Sequence, residues 1–249
     1  RKGVSQLHEL TGKPFYYPLL HHPLDTAVAA IARIGKLEIS QQVGHLDVSW
    51  PDYISIIYKL FDTWKPDVHC FLANILKQGD CVFDIGAHVG IITDFARELV
   101  GNNGSVVAFE PTASVCKILL RNMQFYQNVI VEPLAVTQID GKVKLQEFDP
   151  AFRVLNTLVG NAVRHSKANN LAYKEVTVLA VSLDSYVMQH PDRMPQVLIM
   201  DIENGEHEAL LGAEGILSGD KPPAIIMEIG DGKYNMGHTR RCLDYLVER

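Results

Sequence analysis

The chain has 249 residues, 47 % apolar and 21 % charged, with a formal net charge of −6. That length can bury a sizeable core without disulfides or metals, and suits one α/β domain with an extension. No basic run stronger than Arg240-Arg241 is present, which argues against a nucleic-acid binder with a basic face. No apolar run approaches the ~20 residues of a membrane span. The four cysteines, Cys70, Cys81, Cys116 and Cys242, form no Cys-x-x-Cys pair. They read as buried free thiols of a reducing compartment, so a cytoplasmic location is expected. The chain opens on Arg1-Lys2-Gly3 without Met or a signal-peptide core, which leaves room for a trimmed leader.

In chain order, the first 50 residues are the hardest to read. Leu24 to Ile34 is Ala-rich and predicts a helix, and Leu37 to Ile39 and Val43 to Val48 predict short strands around a turn. Asp52 to Phe61 is amphipathic, and Asp67 to Leu76 predicts a helix ended by Gly79. From residue 80 short apolar runs alternate with longer amphipathic ones. Cys81 to Ile85 predicts a buried strand, Gly86 to Gly90 a turn, and Val89 to Val100 a helix. A second strand is predicted at Val106 to Phe109, a helix at Thr112 to Tyr126, and a third strand at Val129 to Val131. Such alternation predicts a doubly wound, mostly parallel sheet with both faces covered, which is why its strands are apolar throughout.

The middle differs. Val143 to Phe148 alternates as a half-exposed antiparallel strand does, and Val176 to Val181 is similar. The polar stretch between them predicts a β-hairpin-like insertion carrying a loop. Parallel-sheet logic resumes with a strand at Gln196 to Ile202, a helix at Glu206 to Leu217, a strand at Ala224 to Ile229 and a helix at His238 to Val247. The expected organisation is an N-terminal helical or mixed extension or cap over residues 1–65 and an α/β domain over 66–249.

The segment that carries chemistry is Phe83-Asp84-Ile85-Gly86-Ala87-His88-Val89-Gly90. A strand runs into a glycine turn that opens a helix. The glycines permit a tight turn and close approach of a ligand to the main chain. Asp84 falls at the strand's C-terminal end, where open α/β sheets bind ligands. The spacing Asp-x-Gly-x-x-x-Gly lacks the second glycine of the dinucleotide fingerprint. A carboxylate there would repel a pyrophosphate but suit a ligand with an ammonium group and hydroxyls. Glu110, twenty residues after Gly90 at the end of the second strand, can accept hydrogen bonds from ribose hydroxyls. As a plain alternative it is a first-turn charge favourable to the next helix dipole.

From about Gly79 to Gly230 the chain resembles the FkbM family of S-adenosylmethionine-dependent methyltransferases. The likeness rests on Phe83 to Gly90, Phe109-Glu110-Pro111, Leu134-Ala135-Val136, Asp140-Gly141, Ser182-Leu183-Asp184, Asp201 to Glu206 and Met227-Glu228-Ile229. It implies a class I, Rossmann-like fold with S-adenosylmethionine as cofactor, held by Asp84, Gly86, Ala87, His88, Gly90, Glu110, Pro111 and Ala135. It implies methyl transfer, commonly to the hydroxyl of a sugar or natural product, so the expected partner is a small-molecule or glycan acceptor. Three departures fall on the acceptor side: Ile199-Met200 where a Lys often precedes the acidic run, His88 where Asn is common, and Asn204-Gly205 in place of the usual Gly and its neighbour. The chain also ends before the antiparallel strand pair that usually closes such sheets.

Asp201 and Glu203 at the end of one strand and Glu228 at the end of the next should face one crevice. Asp201 is the expected base or metal ligand, with Glu228 beside it; a divalent metal is not favoured, since no compact oxygen-ligand signature is present. The plain alternative is that Glu203 and Glu206 cap a helix and shape its turn. Two rival functions stay open at this point: a nicotinamide-dependent oxidoreductase, and a catalytically silent scaffold that binds S-adenosylmethionine.

Overall fold

The computed structural model describes residues 39–43, 46–50, 65–158, 172–228 and 236–248. The chain divides into two compact units, Arg1–Leu37 and Glu38–Arg249. The first lies outside the described residues, as do the expected helices at Leu24 to Ile34 and Asp52 to Phe61 and most of the insertion loop.

In the second unit a hairpin comes first, with β1 (Ile39–Val43) antiparallel to β2 (Leu46–Trp50). Then follow α1 (Pro66–Ile75), β3 (Cys81–Ile85), α2 (Ile91–Val100), β4 (Ser105–Phe109), α3 (Ala113–Met123) and β5 (Val129–Glu132). Next come β6 (Ala135–Val136), β7 (Gly141–Phe148), a 3₁₀ turn at Pro150–Leu155, β8 (Thr157–Leu158) and β9 (Tyr173–Val181). The chain continues through α4 (Leu183–Gln189), β10 (Val197–Met200), α5 (Glu206–Leu211), α6 (Glu214–Leu217), β11 (Ala224–Met227) and α7 (Met236–Val247). No helix among the described residues is long and apolar enough to cross a membrane.

The main sheet has the order β11-β10-β3-β4-β5 and every pair in it is parallel. Strand order reverses at β3, whose neighbours are β4 on one side and β10 on the other. The crevice at such a switch point is where open sheets bind ligands. Alternation along the strands splits the core between two faces. Phe83, Ile85, Phe109, Leu198 and Met200 pack with Tyr186 of α4, Leu210 of α5 and Cys242 of α7. Val82, Val106, Val197 and Ile199 pack with Leu72 of α1 and Val100 of α2 on the other face. Each large side chain buried this way contributes about 1.5–3 kcal/mol. The hairpin joins the domain through Leu46, which packs with Val89 and Leu119, and through the Asp47 amide, which donates to Asn122 Oδ1 at 2.8 Å.

Several expectations need correction. The third strand ends at Glu132, because Pro133 has no amide to continue the ladder. The family likeness would set Leu134-Ala135-Val136 at the end of the third strand, but Ala135 and Val136 belong to a second sheet, ordered β6-β9-β7-β8. The expected hairpin-like insertion is its β7–β9 pair, registered from Gly141↔Ala180 to Phe148↔Tyr173. The helix expected at Glu206 to Leu217 breaks at Gly212-Ala213. Gly212 passes against the Thr137 carbonyl, where a Cβ would collide. The Asp184 carboxylate then receives the Gly215 and Ile216 amides at 2.7 and 2.9 Å and starts α6 anew. Helix α2 begins at Ile91 rather than Val89, since Gly90 is its left-handed N-cap (φ 96°). Three cysteines are buried as expected, but Cys70 lies on the exposed side of α1.

Candidate active site at the switch point

The site is built on the C-terminal end of β3. Asp84 pairs in register with Ile199 of β10 and Ala108 of β4, on the face covered by α1 and α2, and is only 3 % exposed. Thr93, in the first turn of α2, donates its hydroxyl proton to Asp84 Oδ2 at 2.5 Å and fixes the carboxyl group. Burial pushes the Asp84 pKa up to about 6, against the pull of the Thr93 hydrogen bond.

The turn that follows is fastened to the next strand. The Gly86 and Ala87 amides both donate to the Phe109 carbonyl at 3.0 Å. Gly86 has φ 87° and passes against the Asp201 carbonyl, where a Cβ would collide with backbone. Only glycine fits both demands. His88 also takes a positive φ of 51°, a conformation costly for a residue with a Cβ and often found at functional sites. Its ring is buried beside Arg153, and burial followed by that positive charge pulls its pKa down to about 3. The imidazole is therefore neutral.

Glu110, 6 % exposed, bridges the turn to the second strand. Its Oε2 accepts the His88 amide at 3.1 Å and its Oε1 the Thr112 amide at 2.8 Å. Each carboxylate oxygen has two lone pairs, so both can still accept from a ligand hydroxyl. Burial raises its pKa to about 7 despite these hydrogen bonds, and the Asp84 charge adds to the rise.

Beside this turn lies a carboxylate edge. The Asp201 amide donates to Ile85 O and the Glu228 amide to Met200 O, both at 3.0 Å. These bonds carry the parallel ladders one residue past the strand ends and set Gly86, Asp201 and Glu228 in a row. Glu203 and Asn204 follow at φ 51° and 75° and fold the chain back. Oxygens of Asp201, Glu203 and Glu228 lie within 4.8 Å of one another, a set that could hold a metal ion. Lys65 reaches into the same set, with Nζ 2.5 Å from Asp201 Oδ2 and 3.9 Å from Glu228 Oε1. Burial alone would push the Asp201 carboxyl up, but the Lys65 charge and hydrogen bonds from Glu228 and Lys65 bring it below the usual range. The Asp201 charge, then burial, raise Glu228 to about 8, and burial, then the Glu228 and Asp201 charges, hold Glu203 well above the usual carboxylate range. Asp201 is therefore the ionised member of the set near neutral pH, and the two glutamates hold their protons more tightly than free carboxyls do.

Of the expected site residues, Asp84, Gly86, Ala87, His88 and Gly90 form one turn, Glu110 and Pro111 follow the neighbouring strand β4 beside it, and Asp201 and Glu228 stand alongside. Ala135 is the one set apart, 4 % exposed and paired with Ala180 in the second sheet. Of the two glutamates expected to cap a helix and shape its turn, neither caps it, since the N-cap is Gly205 without a side-chain hydrogen bond, but Glu206 shapes the turn. Its Oε1 accepts the Ile202 amide at 3.0 Å and its Oε2 lies 2.7 Å from His238 Nε2. Sequence reading missed Thr93, Lys65, Arg153 and His238. Only Lys65 carried any signal, as the residue before the helix-starting Pro66.

The FkbM methyltransferase domain matches residues 84–249 of this chain. The chain belongs to that family and is a methyltransferase, which answers the oxidoreductase alternative. No curated protein matches it. Among solved structures, an S-adenosylmethionine-dependent O-methyltransferase of Thermotoga maritima is 15 % identical over 80 % of this chain and 56 % of its own, with TM-score 0.45. The chain thus spans a little over half of that protein. Fibrillarin of Aeropyrum pernix, solved with natively bound S-adenosyl-L-methionine, is 10 % identical over 74 % of this chain and 64 % of its own, with TM-score 0.42. Precorrin-6y C5,15-methyltransferase of Geobacter metallireducens is 12 % identical over 74 % and 72 %, with TM-score 0.40.

Proposed function

We propose that this chain transfers a methyl group from S-adenosylmethionine to a hydroxyl of a sugar or small natural product. The observation that carries the reading is the pair of buried carboxylates, Asp84 and Glu110, joined across one glycine turn at the switch point. Such a pair suits a ligand that presents an ammonium group and vicinal hydroxyls, and it disfavours a phosphate. In this reading Asp84 receives the ammonium, Glu110 the ribose hydroxyls, and Gly86 to Gly90 let the main chain approach.

The cofactor supplies an electrophilic methyl group on a sulfonium. The protein aligns the acceptor hydroxyl with that methyl and removes its proton. Bound S-adenosylmethionine would give its methyl carbon to the acceptor oxygen and keep the carbon–sulfur electron pair as a neutral thioether. The hydroxyl proton passes to the Asp201–Glu228 pair, which Lys65 keeps partly ionised. Alignment supplies much of the rate and the base a further ~10²–10⁴-fold.

Turnover on a panel of sugar and natural-product hydroxyls, with methyl-labelled cofactor, tests this. A methyl ether product is expected. Asp201→Asn should lower kcat by about 10²-fold or more while still binding the cofactor. Cofactor binding without transfer to any acceptor would favour the silent scaffold.

A further inference from the structure

Lys65 precedes the matched domain, yet its ammonium lies inside the carboxylate edge. Three carboxylates within 4.8 Å of one another repel strongly, and a cation among them is the ordinary remedy. Here the cation is a side chain. Nζ sits 2.5 Å from Asp201 and 3.9 Å from Glu228, and the lysine side chain is 25 % exposed. Its backbone is held for the purpose. Lys65 takes a left-handed conformation (φ 46°, ψ 62°) as the N-cap of α1. Its carbonyl accepts the His69 amide at 3.2 Å and lies 3.0 Å from His69 Nδ1. The α1 helix packs through Leu72 onto the sheet face that carries Asp84. The ammonium is therefore tethered by a packed helix rather than swinging on a free loop.

We propose that Lys65 is a positioning residue of the methyl-transfer site: its ammonium is the resident cation of the Asp201–Glu203–Glu228 cluster and takes the place a divalent metal would occupy. The inference rests on reading that cluster as the acceptor edge of the site. It follows that the geometry of Asp201 is set by a residue that precedes the matched residues 84–249. It also follows that removing the ammonium opens a site for hard cations, which favour clustered carboxylate oxygens.

The test is titration with Mn²⁺ alone, followed by electron paramagnetic resonance, on the full chain. Wild type and Lys65→Arg should bind weakly. Lys65→Met, which keeps the length and loses the charge, should bind at least tenfold tighter, and adding Asp201→Asn should abolish the gain. A merely structural lysine would not create that signal. Equal binding by wild type and Lys65→Met, or a gain that survives Asp201→Asn, would overturn the proposal. Thermal unfolding checks that each variant is folded, and Lys65→Gln replaces Lys65→Met in the same titration if the latter is not. Titrating the wild type with S-adenosylmethionine tests the parent reading separately, because that measurement uses no cation.

Discussion

Gly86→Ala probes the closest backbone approach in the site. Gly86 and Gly90 both adopt positive φ, 87° and 96°, so an alanine at either costs about 1–2 kcal/mol for the left-handed conformation. Their surroundings differ. At Gly86 the new Cβ meets the Asp201 carbonyl and lies 2.9 Å from Ile202 Cγ2. The carbonyl belongs to a backbone whose amide is bonded to β3, so it cannot yield without disturbing the ladder. At Gly90 the new Cβ meets Leu119 Cδ1 and Met123 Cε, each at 2.8 Å, the ends of flexible side chains. Overpacking against a fixed backbone adds about 1–3 kcal/mol, so Gly86→Ala should lose about 2–5 kcal/mol and Gly90→Ala nearer to 1–2. At about 2–4 °C per kcal/mol for a domain of this size, the melting temperatures should separate visibly. Urea denaturation of wild type and both variants, compared at equal slope, measures the difference. Equal losses for the two alanines would refute the close approach of the turn to the end of β10.

Cofactor affinity should rise with pH between 5 and 8, because Asp84 and Glu110 titrate near 6 and 7 and bind as carboxylates. Calorimetric titrations should show at least about a tenfold gain from pH 5 to 7, and a flat profile would contradict these roles. The stability of the free protein should run the other way. Both folded pKa values lie above the ordinary 3.8 and 4.5, so their contribution is full below those values and is lost as pH rises through 6 and 7. Thr93→Val removes the donor to Asp84 and should weaken cofactor binding at pH 7 by about 1.5–3 kcal/mol, the worth of a hydrogen bond to a charged group; calorimetry showing unchanged affinity would mean that Asp84 is oriented by something else. His238→Ala should destabilise by about 3–5 kcal/mol by leaving Glu206 buried without its cation. Hydrogen bonds that the ring donates to Cys242 and Glu206 raise His238 to about 9, so the wild-type advantage should be full below pH 6.5 and vanish as pH rises through 9. Thermal unfolding across that window reads it directly.

The main sheet was legible because its strands are apolar on both faces and are punctuated by glycine turns, a local signal. Asp84 and Glu110 were legible for the same reason, each closing a strand. What escaped depends on distance in sequence. Lys65 meets Asp201 across 136 positions and His238 meets Glu206 across 32, and neither spacing leaves a periodic trace. Thr93 looks like any first-turn residue until Asp84 is placed under it. The second sheet was half visible, through the alternation of β7 and β9, but β6, the strand that holds Ala135, has only two residues and leaves no alternation to read.

The central claim is that the turn between Asp84 and Glu110 holds S-adenosylmethionine. Calorimetric titration of the folded chain with S-adenosylmethionine and S-adenosylhomocysteine, beside Asp84→Ala, tests it most directly. The account predicts micromolar binding to the wild type, about −8 kcal/mol at 1 μM, and its loss in the variant. A folded wild type that binds neither ligand, or an Asp84→Ala variant that binds as well as wild type, would contradict it.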